Sequence, residues 1–372
     1  MIRNKNVRKV LQIIIGVGIL GFAFLGGAYI YRLRTALISS TETYKAIIVK
    51  FEERVQSLEK KNAQLRDEIF AQGVELTNII SENYELEGEA LDVSLNDIPV
   101  DDDIVQDSVR FIVAGHLYGA HSEATPIVPA QTLIEFVPEI NKLSPNLFVA
   151  LGDLAQYPSE ESYQALHQNF LNEVNIPVLS APGNHDFDNG RLFYENEFGQ
   201  TFYFLKYAQS QVIILDTEVA NCFIIGGQKE MLENAIDTAL NDDDIQNVFV
   251  FFHKVLFLNG TLQLKEKPNG ACRFGSNYTD LQNEIFIPAA QNKPVYLIAG
   301  DVGASGSNLS PFYNKYPEID LYTLAIGLGD SPNDALLQID IDSNEVDFEL
   351  IPIGGNSFLP IESYTPEYWA AP

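Results

Sequence analysis

Positive charge is scarce in this chain: 23 lysines and arginines face 51 aspartates and glutamates, a formal charge of −28 over 372 residues. The deficit is uneven. Residues 1 to 88 hold 12 basic against 10 acidic side chains, which leaves 11 against 41 for the remainder. So acidic a surface repels the phosphate backbone of nucleic acid and anionic lipid headgroups, which excludes both as partners of that part. Cysteine is rarer still, with only Cys222 and Cys272. A scaffold held by many disulfides is excluded, and the pair is open to two readings, one disulfide or two buried thiols. Histidine occurs only five times, so each can be weighed individually. Apolar side chains are not scarce: a hydrophobic content of 46% is that of an ordinary globular protein and excludes disorder throughout.

The longest uncharged run lies near the start. Arg3, Lys5, Arg8 and Lys9 precede residues 11–31, LQIIIGVGILGFAFLGGAYIY, which end in Tyr29 and Tyr31. At about 1.5 Å per residue this run crosses a hydrocarbon core of about 30 Å. The expectation is a cytoplasmic tail over 1–9 and a single transmembrane helix over 10–31. The basic residues before the span place the N-terminus in the cytoplasm and the remainder of the chain outside it. A cleaved signal peptide is the rival reading, but the run exceeds an apolar signal core of about 7 to 15 residues and no A-x-A site follows. An extracytoplasmic location agrees with a Cys222–Cys272 disulfide.

A seven-residue pattern comes next. Ile48, Val55, Asn62, Ile69, Leu76 and Asn83 occupy the a positions, and Phe51, Leu58, Leu65, Gln72, Ile79 and Leu86 the d positions. Apolar residues on that spacing form a coiled-coil seam, and asparagine at a suits a parallel two-stranded register. Residues 32–87 are therefore expected to be a stalk that joins two copies in parallel, weakened midway by Gly73. The alternative is a lone amphipathic helix lying on its own domain. Residues 88–107 lose the heptad and gain Pro99 and the run Asp101 to Asp103, which predicts an acidic linker whose charges are solvated rather than bound to calcium.

From Ser108 onward, buried strand-like runs alternate with helical spacing, the pattern of an α/β domain. The residues directly after the strands are informative. Phe111 to Ala114 leads to His116, and Leu147 to Leu151 leads to Asp153. IPVLSA leads to Asn184, His185 and Asp186, VFVFF to His253, and VYLIA to Asp301. Ligands of open α/β sheets bind beyond the carboxyl ends of the strands. A carboxylate that can bridge cations, a neutral amide oxygen and imidazole nitrogens suit one or two divalent ions of Zn, Mn or Fe rather than Ca. The glycines before Asp153, Asn184 and Asp301 allow the loops to crowd around one centre.

LGD (Leu151 to Asp153), GNHD (Gly183 to Asp186) and the histidine of FFHKVLF resemble, in order, three motifs of the calcineurin-like metallophosphoesterase family. The similarity spans residues 108–355. It implies an α-β-β-α sandwich and hydrolysis of a small phosphoester by metal-activated water. His185 would contact the phosphate or protonate the departing oxygen, with Asp186 orienting a neighbour. Two motifs depart from the family. Its D-x-H reads His116-Leu117-Tyr118, and its G-H-x-H reads Gly300-Asp301-Val302-Gly303.

One reading is a rewired site in which His116 and Asp301 exchange ligand types. The metal set is then His116, Asp153, Asn184, His253 and Asp301, and Tyr118 joins His185 and Asp186 as a catalytic candidate, by phenolate ligation or by a hydroxyl aimed at substrate. The competing readings are a catalytically inactive binding module on the dimeric stalk and a purely structural module. His121 is a reserve ligand, and His167 a surface or packing residue. Tyr194, Phe198, Phe202 and Tyr203 read as core, and residues 356–372 as a C-terminal tail. Lys265, Lys267 and Arg273 mark 259–275 as a substrate-side loop, and Asn259, Asn277 and Asn308 match the glycosylation sequon.

Overall fold

A computed structural model describes residues 42–85, 93–100, 108–119, 129–258, 264–270, 272, 274–304, 309–342 and 345–370. The span expected at 10–31 lies outside the described residues, as do His121, Asp101 to Asp103, Asn259, Arg273 and Asn308. Among the described residues no helix is long and apolar enough to cross a membrane. The chain divides into two compact units, Met1–Glu68 and Ile69–Pro372.

In chain order the strands are β1 (Ser108–Gly115), β2 (Leu147–Leu151), β3 (Val178–Ser180), β4 (Tyr203–Tyr207), β5 (Ser210–Ile214), β6 (Asn247–Phe252), β7 (Val295–Ala299), β8 (Phe312–Lys315), β9 (Leu321–Ala325), β10 (Ala335–Asp342) and β11 (Val346–Pro352). They form two sheets, ordered β11-β10-β1-β2-β3 and β4-β5-β6-β7-β9-β8. The strands β1, β2 and β3 run parallel in the first sheet, and β5, β6, β7 and β9 in the second. The longer helices are α1 (Glu42–Glu85), α2 (Gln131–Leu143), α3 (Glu160–Leu166), α4 (Arg191–Phe198) and α5 (Gly226–Asn241).

Alternation along β1 assigns its two faces, because successive side chains of a strand point to opposite sides. Phe111 and Val113 pack with the second sheet, Phe111 lying edge-on to Phe249 of β6 at 5.7 Å. Ile112 and Ala114 join Phe148 and Ala150 against Leu133, Val137 and Ile140 of α2 and Tyr163 and Leu166 of α3. On the far side α5 lies against β4, β5 and β6 through Leu232, Ala235, Ile236 and Ala239. The layers are thus helix, sheet, sheet, helix. Each wholly buried phenylalanine contributes about 1.5 to 3 kcal/mol relative to exposure, so the stretch VFVFF anchors the second sheet.

Two segments differ from expectation. Residues 93–100 are no free linker: Val93, Ser94 and Leu95 are buried, Leu95 N donates to Val178 O at 2.8 Å, and Asn96 Nδ2 donates to the carbonyls of Leu171 and Ile176. The edge strand β3 has backbone groups to satisfy, and this segment covers them. The tail is also part of the domain, with Ile361 and Trp369 buried and Trp369 Nε1 donating to Pro311 O at 3.1 Å. Cys222 and Cys272 form a disulfide, which decides the question the sequence left open.

Within the second unit the end of α1 docks on its own domain. Gly73, Thr77 and Ile80 are buried there, and Ile80 packs with Val219, Ala220 and Ile225. A Cβ at Gly73 would lie 2.7 Å from the Cβ of Ala220, so this glycine permits a close approach instead of merely weakening the helix. The docked stripe lies beside the a/d stripe and overlaps it at Leu76, an a residue partly buried against the same cluster. Leu65 and Ile79, both at d, stay 39% and 47% exposed.

Candidate metal centre

The first sheet delivers two side chains by the same device. His116 and Asp153, just beyond β1 and β2, hold φ values of 53° and 55°, left-handed backbone that costs a residue with a Cβ about 1 to 3 kcal/mol. There His116 Nε2 lies 3.7 Å from Asp153 Oδ2. The second sheet supplies His253 beyond β6 and Asp301 beyond β7. His253 Nε2 is 3.5 Å from Asp153 Oδ1 and 3.7 Å from Asp301 Oδ1. Asp153, His253 and Asp301 are all buried, and each offers a ligand atom within 4.8 Å of the others. The centre therefore lies where the carboxyl ends of two facing sheets meet, not along one sheet. Gly183 makes this crowding feasible, since a Cβ there would overlap Asp153 Oδ1 and stand 2.8 Å from His253 Cε1.

Hydrogen bonds choose the tautomers. His253 Nδ1 lies 2.7 Å from Leu151 O and His116 Nδ1 lies 3.1 Å from Leu328 O. A carbonyl only accepts, so both Nδ1 atoms carry hydrogen and donate, and each Nε2 presents its lone pair to the centre. Among the described residues His253 Nε2 is buried without a hydrogen-bond partner, its carboxylate neighbours standing beyond ordinary hydrogen-bond length. Burial lowers the pKa of His116 against the pull of Asp153 and Asp301. Burial acts on His253 in the same sense, but the two carboxylates outweigh it and its pKa is raised. An excess of negative charge around one nitrogen draws a cation, whether a proton or a metal ion. Two carboxylates and a partnerless imidazole nitrogen fit a divalent transition ion.

Residues 128–280 match the family described as calcineurin-like phosphoesterase. Among solved structures the chain is similar to a dimetal phosphatase from Danio rerio, with a TM-score of 0.44 and 13% identity over 66% of this chain and 96% of that one. It is also similar to TT1561 of Thermus thermophilus, with a TM-score of 0.38 and 13% identity over 66% and 99% of the two chains. No curated protein matches it.

The other expected residues fall into distinct places. Asp186 is wholly buried behind the centre, where its carboxylate accepts the N–H groups of Asp153 (2.9 Å), Leu154 (2.8 Å) and Gly183 (2.7 Å). It joins the loops after β2 and β3. Burial and the charge of Asp153 raise its pKa, against the pull of the backbone donors. His185 gives its backbone N–H to Asp153 Oδ1 at 3.0 Å, while its partly exposed ring pairs with Asp188 at 3.1 Å. Tyr118 is buried beside it, ring centroids 5.2 Å apart, and 4.2 Å from the ring of His116. Burial and the nearby carboxylates push the Tyr118 hydroxyl far above its ordinary pKa, which sets a neutral phenol in the wall of the site.

Asn184 has a partner that sequence reasoning missed. Its Oδ1 accepts from Lys254 Nζ at 2.5 Å, and the same ammonium donates to Asp301 Oδ2 at 2.5 Å. Burial lowers the Lys254 pKa, but Asp301, Glu218 and Asp153 outweigh it, so the lysine stays charged. The one signal in the sequence is its place directly after His253, in an apolar run. Elsewhere, His167 pairs with Glu197 at 2.9 Å on the surface, and Tyr194, Phe198, Phe202 and Tyr203 are buried, as expected. The Asn277 amide bonds both Ile224 N and Ile224 O, so this sequon's side chain is engaged in the fold. The flagged loop reaches the centre at Asn269, whose N–H donates to Asp301 O at 2.9 Å.

Proposed function

We propose that the domain hydrolyses a small phosphoester with the aid of a divalent metal ion held by Asp153, His253 and Asp301. The observation that carries this reading is His253 Nε2, a buried nitrogen between two buried carboxylates and, among the described residues, without a hydrogen-bond partner. When bound, the ion supplies Lewis acidity, lowering the pKa of water and withdrawing charge from phosphoryl oxygens. The chain's own residues do the rest. Asp186 and the His185 N–H hold Asp153 in place, and the Leu151 carbonyl orients His253. The His185 ring, at the exposed side of the centre, protonates the departing oxygen or holds the phosphate.

We read the domain as displayed outside the cytoplasm on a single-pass anchor at 10–31 and paired in parallel through α1. The apolar run, the disulfide and the exposed Leu65 and Ile79 support this placement. The experiment is to purify the full chain in detergent without chelator, measure Mn, Fe and Zn per chain, and assay p-nitrophenyl phosphate mono- and diesters. Asp153→Ala is expected to lose bound metal and at least about a hundredfold in turnover together. A wild-type chain free of transition metal, or Asp153→Ala with activity retained, overturns the reading; metal without turnover of any ester favours the inactive binding module.

A further inference from the structure

We infer that Lys254 takes the place of a second metal ion, so that the centre holds one divalent cation and one ammonium. This rests on the metal-dependent reading above and concerns how many ions that centre accepts.

A second ion needs donors of its own, and two of the atoms that would serve are taken. Asn184 Oδ1 and Asp301 Oδ2 both accept from Lys254 Nζ at 2.5 Å. The lysine is only 7% exposed, and its backbone N–H is tied to Thr217 Oγ1 at 3.1 Å. Its head is closed in as well: a Cβ on Gly270 would overlap Nζ and stand 2.5 Å from Asp301 Oδ2, so backbone lies directly over the ion pair. An ammonium set between an amide oxygen and a carboxylate oxygen does what a cation ligated by those two atoms would do, without leaving either unsatisfied.

Donor supply on the other side points the same way. Among the described residues one set of three potential ligands gathers, Asp153, His253 and Asp301. Beyond it the His116 nitrogen stands 3.7 Å from Asp153 Oδ2. Charge agrees with donor supply. Asp153 and Asp301 are the carboxylates that face the centre, and one divalent ion with Lys254 already exceeds their charge by one. A second divalent ion would raise the excess to three in a buried space, where uncompensated charge is costly. Glu218, partly exposed on the loop after β5, adds one negative charge near Lys254, which brings the one-ion total to zero and leaves the two-ion excess at two.

The test is the Mn(II) stoichiometry of the full chain after loading and removal of excess ion, with electron paramagnetic resonance to separate isolated from exchange-coupled manganese. One Mn(II) per chain with the six-line signal of an isolated ion is expected. Lys254→Met, which keeps the stem and removes the charge, should rise toward two per chain with a coupled signal, while Lys254→Arg should stay at one. Two ions per wild-type chain overturns the inference and leaves the metal-dependent reading standing, whereas none overturns both. A correctly folded Lys254→Met chain, by circular dichroism, that still binds one ion also overturns it. If that variant fails to fold, the wild-type count and the Lys254→Arg count decide.

Discussion

Asp153 touches nearly every part of the centre, and the groups around it divide into those that hold it and those that face outward. Its carboxylate accepts the backbone N–H of His185, while the His185 ring turns to Asp188 and Tyr118. One residue therefore plays two separable parts. His185→Ala keeps the backbone bond and loses the ring, so metal content should stay near wild type while turnover falls about 10²- to 10⁴-fold, the range of a lost general acid. Metal analysis beside steady-state assays checks this, and equal loss of metal and turnover would assign the ring a supporting part instead. Asp153, His253 and Asp301 were legible because each follows a strand at once or after a single glycine, a local pattern. Lys254 was not. Its partners Asn184 and Asp301 lie 70 and 47 residues away, and a lysine after a strand ordinarily starts a solvated loop.

At the scale of elements, α1 presents two different stripes. The heptad was legible because a seven-residue period is written in consecutive residues, but the docked stripe of Gly73, Thr77 and Ile80 is not apolar enough to announce itself. Gly73→Leu tests the docking. The substitution gains about 1 kcal/mol of helix propensity. Overpacking against Ala220 costs typically about 1 to 3 kcal/mol. A net fall of several degrees in melting temperature is expected, and a rise would mean the helix is not held there. The a/d stripe is tested by Leu65→Cys in membranes under mild oxidation. A parallel seam predicts a cross-linked dimer on a non-reducing gel, with far less product from Gln64→Cys at the outward c position. Equal cross-linking at both positions counts against the seam.

For the whole molecule, the disulfide joins what the chain separates. Cys222 and Cys272 are 50 residues apart, the first in the segment that packs against α1 and the second in the loop beside the metal centre. Replacing both by serine should cost about 2 to 4 kcal/mol, read as a lower denaturant midpoint. The same pair reports the compartment. If the domain lies outside the cytoplasm, the native chain trapped in cells resists maleimide labelling until it is reduced. Labelling without reduction would place it in a reducing compartment.

The amino-acid order alone determined the alternation of strands and helices, the ligand types that succeed the strands, the heptad and the acidic surface, because each is a short-range pattern of hydrophobicity or charge. The tertiary structure alone decided that two sheets, not one, bring these ligands together. It also decided that Lys254 lies buried among them, that residues 93–100 and the tail belong to the domain, and that α1 docks by a glycine. These facts depend on contacts between residues far apart in the chain, and no periodicity records which distant backbone will come close enough to require a missing Cβ or a buried charge.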